Sequence, residues 1–382
     1  MKRIAVLGCG LVGSTIVRDL AVEPDLEVRA VDLSEENLAA VANLARVERR
    51  RGDLASAAGI RGAIEGCDGV VGAVPGRLGT AMLRTVIEAG TPIADISFAP
   101  ENPLELDALA RENGVTAVVD CGVSPGLSNL AVGRAAAKLD RLDDAVIFVG
   151  GLPLERRWPY EYRIVFSATD VIEEYTRPAR LVEGGRIVVK PALSEPEPVE
   201  FEGVGTLEAF NTDGLRTLIE TVRATNMKEK TLRYPGHAEK MRMLRETGFF
   251  SDSVERVGGA DVIPRELTER LLFRAWRRGD GELELTVLRV VASGASGGTR
   301  LRYTFDLFDR TDPATGETSM ARTTGFPCSI MAQMLVRGEF RRPGILPPEL
   351  FAGDDAVYAK LVSELARRGV HFRETVTEGA PG

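Results

Sequence analysis

The chain opens on a pattern that few folds satisfy. Residues 1–14 read MKRIAVLGCGLVGS. Residues 4–7 form an apolar run long enough for one buried parallel strand, and Gly8, Gly10 and Gly13 follow at once in G-x-G-x-x-G spacing. Residues 11–20 are amphipathic, residues 28–31 are apolar again, and Asp32 closes that second run. Strand, glycine turn, helix, strand and acid, in this order, point to a dinucleotide site. Gly8 permits the tight turn, Gly10 lets the backbone approach a pyrophosphate, and Gly13 lets helix and strand pack closely. The helix start at Leu11 and Val12 turns free N–H groups toward the phosphates. Asp32 would accept hydrogen bonds from the adenosine ribose. Leu33 and Ser34 follow it, so a 2′-phosphate would meet a carboxylate with no adjacent cation. The pattern therefore favours NAD over NADP. The alternative is a glycine-rich turn that holds no ligand.

A length of 382 residues implies two domains. Apolar and charged contents of 44% and 27% are those of a soluble globular protein. A net charge of −8 argues against a nucleic-acid or anionic-membrane surface. No apolar stretch reaches the length of a membrane span, and a strand starting at residue 4 leaves no room for a signal peptide. Cys9, Cys67, Cys121 and Cys328 are scattered without a C-x-x-C pair, which suggests buried thiols in a reducing cytoplasm and no metal site.

Beyond Asp32 the strand–helix alternation continues. Ser34 caps a short helix, and residues 46–53 hold a third strand ending at Asp53. Residues 68–74 form a strand running into a Pro/Gly loop over residues 75–79, so Val74 and Pro75 lie above the nicotinamide half of the crevice. Helices at 80–89 and 103–113 alternate with strands at 91–97 and 115–120, the latter two carrying Asp95 and Asp120. This is a doubly wound parallel sheet of the Rossmann type. After Ala135 the pattern changes to polar–apolar alternation. Strands are expected at 144–150, 162–167, 186–191, 199–204, 283–292 and 300–308, with helices at 170–175, 214–224, 236–247 and 265–277. That describes an α+β unit with a mixed or antiparallel sheet. Late helices at 327–337 and 354–368 are expected to return to the first domain. The expected division is 1–125, completed by 326–382, around a substrate-binding and dimerisation unit at 126–325.

Several motifs in order resemble the saccharopine dehydrogenase superfamily, on its branch of saccharopine reductases and lysine 6-dehydrogenases. Besides the opening turn they are Asp120-x-Gly-x-x-Pro-Gly-Leu-Ser-Asn129, Gly150-Gly-Leu-Pro153, Val165-Phe-Ser-x-x-Asp-Val-Ile-x-Glu-Tyr-Thr-Arg-Pro-Ala179, Asn211-Thr-Asp-Gly-Leu215 and Thr231-Leu-Arg-Tyr-Pro-Gly-His237. Where saccharopine reductases tend to carry Asp-Pro-Gly-x-x-His, this chain has Ser-Pro-Gly-Leu-Ser-Asn, nearer the lysine 6-dehydrogenase form. The resemblance implies NAD-dependent oxidation of an amine-bearing carbon, with L-lysine at its ε-carbon giving allysine and ammonia. Oxidation of a saccharopine-type secondary amine is the second reading, and a non-catalytic NAD-binding scaffold the third. It also implies a homodimer acting on a small amino acid.

Such chemistry needs a proton acceptor and a cation for the substrate carboxylate. Arg163 and Arg233 are candidates for the carboxylate, or else sheet-surface arginines. His237, at a helix start, is either a neutral base or a capping residue. Asp120 and Asp95 end parallel strands at the crevice side and could order a water or cap a turn. Asn211, Thr212 and Asp213 are polar candidates in a sequence that also makes good turns. Tyr162 is either a substrate contact or, like Tyr175, a packing aromatic.

Overall fold

A computed structural model describes residues 1–165, 168–279 and 281–378. The opening motif folds as its spacing requires. β1 (Lys2–Leu7) buries Ile4, Ala5, Val6 and Leu7 completely, as a central parallel strand covered on both faces must. α1 (Leu11–Ala21), β2 (Leu26–Asp32), α2 (Glu35–Ala39), β3 (Val47–Arg51), α3 (Ala57–Ile64), β4 (Gly69–Gly72), α4 (Gly76–Glu88), β5 (Ile93–Asp95), α5 (Asp107–Glu112) and β6 (Thr116–Val118) follow. Ser34 and Ser56 cap α2 and α3 by accepting from Asn37 N and Gly59 N. The strands lie parallel in the order β3-β2-β1-β4-β5-β6. Strand order reverses between β1 and β4, which opens a crevice at their carboxyl ends.

α6 (Leu127–Lys138) leads into the second sheet. Its elements are β7 (Arg141–Pro153), α7 (Ala168–Thr176), β8 (Ala179–Glu183), β9 (Arg186–Lys190), β10 (Glu197–Phe201), β11 (Gly205–Asn211), α8 (Leu218–Thr221), β12 (Asn226–Arg233), α9 (His237–Glu246), a β13 (Glu255–Val257) and β14 (Ala260–Val262) hairpin, α10 (Pro264–Trp276), β15 (Glu284–Ser296) and β16 (Thr299–Arg310). β12 and β7 pair in parallel, and β11 with β12, β7 with β15, and β15 with β16 pair antiparallel, so the sheet is mixed. α11 (Ser319–Arg337) then returns to pack on α1, β4 and β5, and β17 (Gly344–Leu346) adds to the first sheet beside β6. α12 (Asp355–Arg367) precedes β18 (Phe372–Glu378). α11 touches both sheets, α6 packs on β7 and β15, and one apolar cluster runs from Ile4 and Ile16 through Leu130 and Met331 to Ile147 and Leu288.

Five local expectations change. The loop expected at 75–79 is already helix, because α4 starts at Gly76 directly after Pro75. Residues 103–113 divide into a 3-10 turn over Pro103–Leu106 and α5. Residues 162–165 form no strand, and Phe166 and Ser167 lie outside the described residues. The helix expected at 214–224 shrinks to α8. The tail expected to complete the first unit divides: α11 begins at Ser319, and β18 pairs with β16 in the second sheet. β12, NMKEKTLR, was not anticipated because its charged residues are buried. Glu229, Lys230 and Arg233 all lie inside, so the alternation that marks a half-buried strand is absent.

Candidate active site

One cleft of about 630 Å3 runs from the glycine turn to the second sheet. All nine residues expected to hold the cofactor line it: Gly8, Gly10, Leu11, Val12, Gly13, Asp32, Asp53, Val74 and Pro75. Gly8 has φ +98°, and a Cβ there would stand 2.2 Å from the Ala73 carbonyl oxygen. A Cβ on Gly13 would stand 2.0 Å from the Gly8 oxygen. A Cβ on Gly10 would meet nothing within 4 Å, because that residue faces the cleft. No side chain caps α1 and no acid stands in its first turn. Its end therefore offers uncapped N–H groups and the positive end of the helix dipole, which fits a pyrophosphate.

Asp32 is held from three sides. Its carboxylate accepts from Cys9 N at 2.7 Å, Ser34 N at 2.8 Å and Asn37 Nδ2 at 3.2 Å. A carboxylate has about four acceptor positions, so capacity for a ribose hydroxyl remains. β3 brings in a cation that sequence adjacency does not show. Arg51 stands beside Asp32 in the sheet, donates from Nε to the Leu33 carbonyl at 3.2 Å and lies 4.0 Å from Glu35.

The opposite wall is built from α7, β12 and the turn after β11. It presents Asp170, Glu173, Glu174, Arg177, Thr212, Asp213, Glu229, Thr231 and Arg233. Its arginines are already paired. Arg233 pairs with Glu174, donates to the Leu232 carbonyl at 2.9 Å and lies 4.5 Å from the Tyr162 ring centroid. Arg180, outside the cleft, takes Asp213 in a fork at 2.9 and 3.0 Å. Arg177 makes a looser contact, 3.3 Å to Glu173, which Arg265 also holds, and sits 5.7 Å from the Phe98 ring centroid. Glu229 is 3% exposed and hydrogen-bonds to Thr212, whose hydroxyl lies 2.9 Å from that of Thr231. Burial pushes its carboxyl up to about 8, against the pull of the Thr212 hydrogen bond.

Of the substrate candidates, Arg233, Thr212 and Asp213 reach the cleft; Arg163, Tyr162 and Asn211 do not line it. Arg163 is spent on Glu282 at 2.9 Å and on the carbonyls of Tyr162 and Ala275. Tyr162 packs edge-on to Trp276 at 5.2 Å. Asn211 turns to Ser194 Oγ at 3.1 Å. None of the three expected catalytic groups lines the cleft. His237 is 1% exposed, between the Tyr175 hydroxyl at 3.0 Å and the Tyr160 carbonyl at 2.9 Å. Burial drives it down to about 3, with Arg233 adding to the effect, so it is a neutral packing histidine. Asp120 is buried in a fork with Arg216 at 3.1 and 3.3 Å. Asp95 folds back on Ser97 N at 2.9 Å, and burial raises it to about 7. Sequence reasoning missed Glu229 and Arg177. A lone acid in a strand otherwise destined for the core was the available signal for the first; Arg177 stood in a quoted motif without being singled out.

The family model described as the saccharopine dehydrogenase C-terminal domain matches residues 122–370, and that of the saccharopine dehydrogenase NADP binding domain matches residues 4–118. The saccharopine dehydrogenase (NADP+, L-glutamate-forming) of Schizosaccharomyces pombe is 20% identical over 99% of this chain and all of its own length. The mouse mitochondrial alpha-aminoadipic semialdehyde synthase is 20% identical over 98% of this chain and 48% of its own. The apo saccharopine dehydrogenase (L-Glu forming) of Saccharomyces cerevisiae shares the fold, with a TM-score of 0.82 over 99% of this chain at 18% identity.

Proposed function

The chain belongs to the saccharopine dehydrogenase family of oxidoreductases, and from that premise we propose that it oxidises the ε-amine carbon of L-lysine with NAD. The observation that carries the substrate is the state of the arginines on the second wall. Arg233 and Arg177 each already hold a carboxylate. Saccharopine brings three carboxylates, and any that took Arg233 or Arg177 would have to displace an internal acid. Lysine brings one carboxylate and two ammonium groups. Its carboxylate needs one guanidinium, and Arg177, with its 3.3 Å contact to a shared Glu173, is the more loosely held of the two on this wall. Its ammonium groups suit a wall whose lining carries five carboxyl groups, Asp170, Glu173, Glu174, Asp213 and Glu229, against two guanidinium groups, Arg177 and Arg233.

NAD is supported by Asp32, whose carboxylate would repel a 2′-phosphate. The S. pombe relative and the matching N-terminal family model are named for NADP, and Arg51 is the residue through which this chain would follow them. Its engagement by Leu33 and Glu35 favours NAD. The bound dinucleotide supplies the hydride acceptor. The protein binds the pyrophosphate on the α1 N–H groups, orients the amine carbon between the two walls and excludes water with Phe98, Pro75 and Met320. A saccharopine-type secondary amine is the second reading, favoured by the end-to-end likeness to the S. pombe enzyme. Pairing as a homodimer is supported by the family resemblance, and a cytoplasmic location by four scattered cysteines without a C-x-x-C pair. No helix among the described residues is long and apolar enough to cross a membrane.

The test is steady-state formation of reduced cofactor with lysine and with saccharopine, each with NAD and with NADP. The expected ranking puts lysine with NAD first. Higher kcat/KM for saccharopine would move the assignment to the second reading, and equal rates with both cofactors would remove the role given to Asp32.

A further inference from the structure

The floor of the substrate wall holds an acid whose hydrogen-bond partner is a hydroxyl rather than a guanidinium. Glu229 lies on β12, a strand inside the sheet between β11 and β7, and still lines the cleft. Thr212, from the turn after β11, bonds its carboxyl, and Thr231 backs that hydroxyl from two residues along β12. The next turn of chain passes close over it: a Cβ on Gly214 would stand 2.5 Å from the Glu229 carboxyl. The charged groups facing it are Glu174 from α7, Asp213 from the turn and Arg233 from its own strand. Asp213 is occupied by Arg180, and Glu174 and Arg233 occupy each other. Glu229 is thus fixed in orientation, shielded from water and free to exchange a proton with a ligand in the cleft.

We propose that Glu229 is the catalytic base, taking the proton of the substrate ammonium and later a proton of the hydrolytic water. The inference rests on the amine-oxidising reading above. In the first step the ammonium N–H bond breaks and an O–H bond forms on Glu229, leaving a neutral amine. Loss of hydride from the amine carbon to the dinucleotide then carries away an electron pair and leaves a C=N bond as an iminium. Glu229 releases its proton to solvent. Water adds to the iminium carbon while Glu229 takes one of its protons, and returns it to nitrogen as the C–N bond breaks. The hydroxyl proton leaves with the departing ammonia, so substrate ammonium, oxidised dinucleotide and water become aldehyde, ammonium ion, reduced dinucleotide and one proton. A carboxyl held near the working pH suits both transfers, because a base of ordinary carboxylate strength would be too weak for an ammonium.

Three measurements separate this role from a structural one. Glu229→Gln keeps the shape and a partner for Thr212 but cannot take a proton. With lysine its kcat is expected to fall on the order of 10²- to 10⁴-fold, with NAD affinity by direct titration and melting temperature close to those of the unmodified protein. Thr212→Val removes a hydrogen bond that favours the charged form, so the acidic limb of the kcat/KM profile should move to higher pH. Lysine binding to the NADH complex at pH 7 should release a proton, seen as a binding heat that varies with buffer ionisation enthalpy, and Glu229→Gln should abolish that variation. An active Glu229→Gln variant that keeps its acidic limb would overturn the proposal alone. An unmodified protein that reduces neither cofactor with any amine would overturn the functional reading, and this inference with it.

Discussion

The two walls of the cleft are built by different means. The wall at the glycine turn is mostly main chain: uncapped α1 N–H groups, a turn that only glycine can make at Gly8, and one carboxylate at Asp32. The substrate wall works through side chains that long separations in sequence bring together. Glu174 meets Arg233, Arg180 meets Asp213, and Thr212 meets Glu229. A main-chain site depends on residue types at fixed offsets. A side-chain site depends on which distant charges become partners once the sheet has formed.

The comparison breaks most plainly at Gly13. Gly13→Ala should abolish both folding and NAD binding, since its Cβ would overlap the Gly8 carbonyl. Gly10→Ala meets no protein atom and should melt like the unmodified protein. Because its methyl projects where the pyrophosphate would lie, NAD affinity should fall about ten- to a hundredfold, which is about 1.4–2.8 kcal/mol. Calorimetric titration and a melting curve on both variants read this pair, and a Gly10→Ala variant that binds NAD normally would detach the turn from the cofactor.

On the other wall, Arg233→Ala leaves Glu174 without its buried partner. The expected loss is about 3–5 kcal/mol of stability, measured by denaturant unfolding. A stable variant with only a raised KM would restore Arg233 as a plain substrate contact.

His237 gives a smaller, pH-dependent effect. Its folded pKa, about 3, lies below the unfolded value of about 6.5. The unfolded chain therefore takes up a proton before the folded one does, and stability is present above about pH 6.5 and lost as pH falls toward 3. His237→Gln should show a shallower fall in melting temperature between pH 7 and pH 4.5, with the neutral-pH turnover profile unchanged in shape. A flattened turnover profile would place the histidine back among the proton-transfer groups. The smallest effect is expected at Asp32→Asn, which should narrow the kcat/KM preference for NAD over NADP by about tenfold, one charge–phosphate contact.

What could be read from the chain follows this division. The parallel order around β1 and every residue of the glycine turn were legible, because glycine spacing and apolar runs encode backbone geometry directly. The second sheet was legible where polar and apolar residues alternate, as in β16, and hidden where charges are buried, as in β12. His237 and Arg163 misled for a related reason. Their types suit catalysis and carboxylate binding, but Tyr175 and Tyr160 enclose the first and Glu282 takes the second. Arg51 shows the limit of adjacency on the cofactor side, since pairing of β2 with β3 sets it beside Asp32 although 19 positions separate them.

On the proposed function, one cleft brings the ε-carbon of lysine to a dinucleotide held at the glycine turn. Lysine deuterated at the ε-carbon, incubated with the protein and NAD, tests it directly. Mass spectrometry of the reduced cofactor should find one deuterium per molecule, and none when the deuterium is at the α-carbon instead, where it stays in the product. Label transferred from the α-carbon, or no labelled cofactor from either substrate, would contradict it.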